Sequence, residues 1–329
     1  MFSVHQHWDP LKVCLVGRSY PSKFYKFIQD ARVRNVMERI ADETEEDYQK
    51  LIQLLNQLGV ETFRIDLKDS IEHYKTGDRY LAPPMCPRDH MSMVGDTFYF
   101  ESSHFKHEHR YILDWIKLQN NRIVYDQGIN GAATTRVGKD LYFGTTLGTT
   151  IMDNGQYKNL FPNYRTHVID TQGHSDSTFC PVKPGLIISL HDVPTYKDTF
   201  PDWEVIYLPG QSWAAIPEFQ QLKNKNRGKW WVPGEELNDD FTDYVESWLG
   251  HWMGYVEETV FDVNMLVIDE NNVICNNYNE TVFKAFERHN ITPHILNFRH
   301  RYFWDGGLHC ITSDLHREGS INDYFPERT

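Results

Sequence analysis

The sequence predicts an α/β protein assembled from repeated hairpin units. Three observations carry this. Paired short apolar runs recur along the chain, each pair broken by a turn rich in Gly, Asp or Asn. Several pairs are followed by an amphipathic helix and one more strand. Each pair is led into by a polar or small-residue segment: Pro87-Arg88-Asp89, Asn130-Gly131-Ala132-Ala133, His174-Ser175-Asp176, Asp262-Val263-Asn264, and Gly306-Gly307-Leu308-His309-Cys310. The repetition is one of architecture more than of residues. If the units close in a ring, these segments converge on one axis, and a site built from distant residues follows.

Taken in order, Trp8-Asp9-Pro10 reads as a turn into a buried strand, Leu11-Lys12-Val13-Cys14-Leu15-Val16, which Gly17 ends. A long helix follows. Thr44-Glu45-Glu46-Asp47 has the form of a capping box, and Tyr48, Leu51, Ile52, Leu55 and Leu58 make one apolar stripe. Gly59 stops that helix, and residues 60–65 read as a strand. Residues 82–89 read as a loop, and 91–100 as a hairpin turning at Gly95-Asp96. Residues 108–117 carry a helical stripe of Tyr111, Ile112, Trp115 and Ile116.

Further hairpins are expected over 134–144, 177–190 and 264–276, turning at Gly138-Lys139-Asp140, Lys183-Pro184-Gly185 and Asp269-Glu270-Asn271-Asn272. Residues 280–289 read as a short helix, and 292–296 begin a strand. The stretch 223–233, basic and containing Trp230-Trp231, reads as an irregular loop packed on the body, with a lid as the other reading.

Composition narrows the function. A chain of 329 residues can bury a large core, and no linker divides it, so one domain over 1–329 is expected. The formal net charge of −13 argues against nucleic acid and against an anionic membrane surface, while leaving room for a cationic substrate. Five scattered cysteines with no CxxC pair form neither a disulfide framework nor a zinc site. The first residues show no basic and apolar signal pattern, and no apolar run is long enough to span a bilayer. These features predict a cytoplasmic protein.

The chemistry gathers on four residues. Cys310 follows two glycines and starts an apolar run, so its thiol can face a cleft while the next residues anchor a strand. The alternative is a buried structural cysteine. A thiolate is a strong nucleophile, and a nearby cation raises the thiolate fraction; a bound substrate cation can serve. Asp89 and Asp176 can hold such a cation, and a guanidinium suits carboxylates because its N–H groups point in pairs. His174, two residues before Asp176, would share its side of a strand and put a proton-transfer group beside the clamp. The alternatives are ordinary too: an aspartate capping a turn, and a histidine among sixteen.

In this order the motifs resemble the amidinotransferases of the pentein superfamily, arginine:glycine amidinotransferase in particular. Trp8-Asp9-Pro10-Leu11 through Val16-Gly17-Arg18 is similar to the family's N-terminal strand. Pro87-Arg88-Asp89 resembles its first acidic motif, His174-Ser175-Asp176-Ser177-Thr178-Phe179 its His-x-Asp motif, and Gly306-Gly307-Leu308-His309-Cys310 its nucleophile motif. The likeness runs on through Thr312, Asp314, Leu315, Arg317, Gly319 and Tyr324.

The resemblance implies a pentein fold, a five-bladed pseudo-symmetric α/β propeller of ββαβ units. It implies Cys310 as nucleophile, His174 as acid/base, and Asp89 and Asp176 holding the donor guanidinium. A covalent amidino-cysteine would pass the group from a guanidino donor such as L-arginine to a small amine such as glycine, giving ornithine and guanidinoacetate. It implies no metal or organic cofactor and suggests a homodimer. Two departures stand out. Ala133 occupies the place of an acid that supports the histidine, with Asp126 one candidate to compensate. Val193 occupies the place of an arginine that holds the substrate carboxylate, and His191 and Asp192 do not replace it. A guanidino hydrolase (deiminase or dihydrolase type) and a catalytically impaired guanidino-binding member are the competing readings.

Overall fold

A computed structural model of the chain describes residues 1–101, 105–125, 129–145, 154–171, 173–190, 193, 195–208, 210, 216–253 and 260–328. Five three-stranded sheets of one topology make the body. In the first, Met91–Val94 pairs antiparallel with Thr97–Phe100, helix Arg110–Leu118 crosses over, and Arg122–Tyr125 returns parallel to the second strand. The pattern repeats with Thr134–Val137, Asp140–Gly144 and Arg165–Ile169; with Phe179–Lys183, Leu186–Ser189 and Glu204–Tyr207; and with Leu266–Asp269, Asn272–Cys275 and Thr292–Ile295. The hairpins fall where the alternation and turn residues put them. Gly95, Gly138 and Gly185 take the positive φ that their turns need.

The fifth unit is made from both ends of the chain. Thr312–Arg317 supplies its first strand, and Leu11–Val16 pairs antiparallel with it. Helix Ala31–Gln57 then crosses over to Glu61–Arg64, which lies parallel to Leu11–Val16. Trp8 and Tyr324 lock this closure, the indole N–H donating to the phenol oxygen at 2.9 Å.

The long helix starts earlier than the sequence suggests. Its N-cap is Asp30, whose carboxylate accepts from the N–H groups of Arg32 and Val33. Thr44 lies mid-helix, where its hydroxyl donates back to the Ile40 carbonyl at 2.6 Å rather than capping anything. The acidic residues that mimic a capping box serve tertiary partners instead: Glu45 receives Arg64, and Asp47 and Glu46 receive Arg299.

Other elements also shift. Helix Arg110–Leu118 buries Ile112, Leu113 and Ile116, while Tyr111 is exposed, so its stripe is turned by one residue. The basic stretch is not all loop: Pro217–Asn226 is helical, and Arg227 ends it in the left-handed region. Trp230 is fully buried in the same core as the long helix, its N–H donating to Glu246 at 2.7 Å, so the packing reading holds and the lid reading does not. Pro87–His90, within the expected loop, forms a short 3-10 turn.

The five lead-in segments meet. Gly131 N–H donates to the Arg88 carbonyl, and Asp176 N–H to the Ala132 carbonyl. Asn264 Nδ2 donates to the Asp176 carbonyl at 3.1 Å, and its Oδ1 accepts from His309 and Cys310 N–H at 3.0 and 3.1 Å. Arg88 Nε donates to the His309 carbonyl at 2.8 Å and completes a closed ring of hydrogen bonds.

Candidate active site

Cys310 sits at the end of the last lead-in, just before strand Thr312–Arg317, and is nearly fully buried. Its thiol donates to Asp176 Oδ2 at 3.3 Å and accepts from Asn264 Nδ2 at 3.0 Å. Burial pushes the thiol well above its ordinary pKa. The charges of Asp176 and Asp89 and the neighbouring thiol of Cys86 add to this, while the Asn264 amide pulls the other way. The two glycines before Cys310 are not in the left-handed region. Their use is close approach: a Cβ on Gly307 would lie 2.6 Å from Asn264 Oδ1, and one on Gly306 2.8 Å from Cys86 Sγ.

Asp176 and His174 are not strand neighbours. They lie on a 3-10 turn, Ser175–Ser177, with His174 at its N-cap. Asp176 is buried. Its Oδ2 accepts from His309 Nδ1–H at 2.8 Å, and its Oδ1 has no hydrogen-bond partner. Burial would raise this carboxyl, but the hydrogen bond from His309 and the charges of His174 and Arg88 overcome it and hold it below its usual range. His309 itself is pulled down to about 4 by burial and by Arg88, so it stays neutral and serves as a donor.

Asp89, at the 3-10 turn of the first lead-in, has its Oδ1 3.8 Å from His174 Nδ1. That oxygen has no hydrogen-bond partner, and burial raises the carboxyl. For His174, burial opposes protonation, yet the charges of Asp89, Asp176 and Asp305 prevail and raise it above 6.5.

Four predicted residues, Cys310, His174, Asp89 and Asp176, therefore converge. Three more belong with them. Asn264 ties the thiol to Asp176 and to the backbone of its own segment. The sequence marked its segment but not its role. Asn130 stands where a support for the histidine was missing. Its Oδ1 accepts from Ala132 and Ala133 N–H at 2.8 and 3.2 Å, which fixes the amide so that Nδ2 donates to His174 Nε2 at 3.1 Å. Ala133 itself is buried. Asp305, exposed, caps the helix Arg301–Trp304, and its charge bears on His174. Asp126, His191 and Asp192 lie outside the described residues. Among the described residues no cluster of three or more His, Cys, Asp or Glu is arranged to hold a metal ion. No helix among them is long and apolar enough to cross a membrane.

The fold and this ring of converging segments define the class: the chain has the pentein fold. It matches an amidinotransferase of the saxitoxin biosynthetic pathway from Microseira wollei with a TM-score of 0.70 and 18% identity, over 98% of this chain and 99% of that one. No family model matches the chain. Among curated proteins it is 23% identical over 381 residues to inosamine-phosphate amidinotransferase 1 of Streptomyces glaucescens, covering 98% of this chain and 99% of that protein. It is 27% identical over 209 residues to the mitochondrial glycine amidinotransferase of Gallus gallus, covering 61% of this chain. In that alignment the chain spans only 41% of the chicken protein's length. The chain is thus similar in sequence to amidinotransferases, which are enzymes, and shares its fold with solved amidinotransferases.

Proposed function

We propose that the protein transfers an amidino group from a guanidino donor to an amine through a covalent amidino-cysteine on Cys310. One observation carries the reading. Asp176, whose Oδ2 accepts from the Cys310 thiol, and Asp89, whose Oδ1 lies 3.8 Å from His174 Nδ1, each keep a buried Oδ1 without a hydrogen-bond partner. Buried carboxylate oxygens left unpaired are costly, and a planar cation with paired N–H groups satisfies both.

The arriving guanidinium also offsets the negative charge that keeps the thiol protonated. Its proton passes to neutral His174, and the sulfur attacks the guanidino carbon. The C–N bond breaks, and His174 gives the proton to the leaving amine. A neutral acceptor amine then attacks the amidino carbon. Its proton goes to His174 and on to the departing sulfur, which regenerates the thiol. Proton transfer of this kind contributes roughly 10²–10⁴-fold in rate.

In the finer reading, arginine is the donor and glycine the acceptor, giving ornithine and guanidinoacetate. Names of relatives support it. The buried Val193 weakens it, because it leaves a substrate carboxylate without the expected arginine. Intact-protein mass spectrometry after mixing with arginine, and no acceptor, tests the core of the proposal. A gain of one amidino group on Cys310, lost in Cys310→Ala, is expected. No adduct with any guanidine, together with no ammonia release, would leave a protein that only binds. Ammonia without added amine would make it a hydrolase.

A further inference from the structure

His309 stands one residue before Cys310, and its ring meets the same carboxylate as the thiol. Successive side chains of an extended segment point to opposite faces. Here the chain turns instead, with Ile311 N–H donating to the Gly307 carbonyl at 3.0 Å and Thr312 N–H to the His309 carbonyl at 3.3 Å. The turn brings the His309 ring and the Cys310 thiol onto one atom, Asp176 Oδ2, at 2.8 and 3.3 Å. The other oxygen, Oδ1, is left without a partner.

The ring is held on several sides. The His309 backbone N–H donates to Asn264 Oδ1 at 3.0 Å, and its carbonyl accepts from Arg88 Nε at 2.8 Å. The imidazole lies beside that of His7, with ring centroids 5.6 Å apart. A carboxylate only accepts, so the proton of the neutral ring is on Nδ1 and aimed at Asp176. Behind His309 and Asp176 lies a cavity of about 10 Å³, lined also by His7, Thr135, Cys180 and Arg317. It has room for about one water at most, so bulk solvent cannot take over the part of the imidazole.

Forming the nucleophile gives this bond its use. While the thiol is protonated, Asp176 Oδ2 has two donors. When the proton leaves the sulfur, thiolate and Oδ2 face each other as two negative atoms, and only His309 still donates. Without that donor the carboxylate is free to rotate away from the sulfur, and Oδ1 moves with it. We propose that His309 is a positioning residue: its Nδ1–H locks the Asp176 carboxylate so that Oδ2 stays toward Cys310 and Oδ1 stays open to the donor guanidinium. The inference rests on the amidinotransferase reading and deepens it. His309 acts through Asp176 and not on the reacting atoms.

Three variants test the lock. His309→Asn keeps an N–H donor at the δ position. His309→Gln carries the same amide one methylene further out, and His309→Leu fills the space with no donor. Adduct formation on Cys310 is followed by intact mass over a range of arginine concentrations. The half-saturating concentration should rise about tenfold in His309→Leu and His309→Gln, and stay within about threefold of the wild type in His309→Asn. A residue that only packs would lower the fraction of protein that loads and leave half-saturation in place. Unchanged half-saturation in His309→Leu and His309→Gln overturns the proposal, and so does His309→Asn as far displaced as they are. If His309→Leu does not fold, the comparison of His309→Gln with His309→Asn decides alone. A wild-type protein that forms no adduct with any guanidine sinks the amidinotransferase reading instead. The lock is then read from the protection that methylguanidine gives Cys310 against iodoacetamide, whose half-protecting concentration should shift about tenfold in the same two variants. No shift, or no protection in the wild type, overturns the proposal as well.

Discussion

Asn130 holds His174 with a donor, which favours the neutral imidazole, while Asp89, Asp176 and Asp305 favour the cation. The sign of a change at Asn130 therefore follows. In Asn130→Asp a carboxylate oxygen can still accept from Ala132 and Ala133 N–H, and the other accepts from His174 Nε2–H. That stabilises the imidazolium and raises His174 further. The limb of the pH–rate profile for adduct formation that His174 controls should move to higher pH by about one unit, or about 1.4 kcal/mol. An unmoved limb would mean that this contact does not tune the histidine. At Asn264 the opposite chemistry is expected. Asn264→Asp removes the N–H donors to Cys310 Sγ and the Asp176 carbonyl and sets a carboxylate against the thiol. Cys310 rises further, and single-turnover adduct formation should slow by roughly 10²-fold. Neither asparagine's role was legible, because an amide gains its function only from what it touches. The charged or nucleophilic residues Cys310, His174, Asp89 and Asp176 announced themselves by type.

At the scale of elements, the site is carried by short irregular segments that end in regular strands. His174 and Asp176 were expected on one side of a strand, but the chain makes a 3-10 turn there, and a lone polar triplet carries no periodicity to show it. The hairpins were legible because alternation and turn glycines act locally. The start of helix Ala31–Gln57 was not, because its acidic run answers Arg64 and Arg299, which are far away in sequence. The last lead-in shows the tightest constraint. Asn264 packs where a Cβ on Gly307 would stand, at 2.6 Å from its Oδ1. Gly307→Ala should displace the Asn264 amide and cost about 1–3 kcal/mol of stability by overpacking. Adduct formation should fall by more than that loss of folded protein explains, as read by urea titration and mass spectrometry side by side. Equal losses would reduce Gly307 to a packing residue.

Across the whole molecule, the ring of lead-ins rests on one buried carboxylate. Asp314, on strand Thr312–Arg317, accepts from Arg88 Nη1 at 2.7 Å, Arg136 Nη2 at 2.6 Å and Arg317 Nε at 2.8 Å. The arginines continue outward. Arg136 donates to the Met93 carbonyl, and Arg317 to the carbonyls of Asp9 and Val267. One carboxylate thus joins segments from four units, and a sequence cannot display that because each partner is an isolated Asp or Arg. Burial alone would raise Asp314, but the three guanidiniums hold it well below the ordinary carboxylate range. A group depressed in the folded state gives stability that is complete above its unfolded value, near 3.9, and is lost as pH falls through its folded value. Asp314→Asn leaves three buried cations under-compensated, and it should cost about 3–5 kcal/mol. In urea titrations that gap should stay constant from neutral pH down to about 5 and close only in stronger acid. A gap that already narrowed between pH 8 and 6 would place the linkage on a histidine. The neighbour at issue is His7, which burial and Arg136 keep neutral while its Nε2 accepts the Arg136 N–H at 3.1 Å. A constant gap would assign the anchoring of the ring to the carboxylate itself.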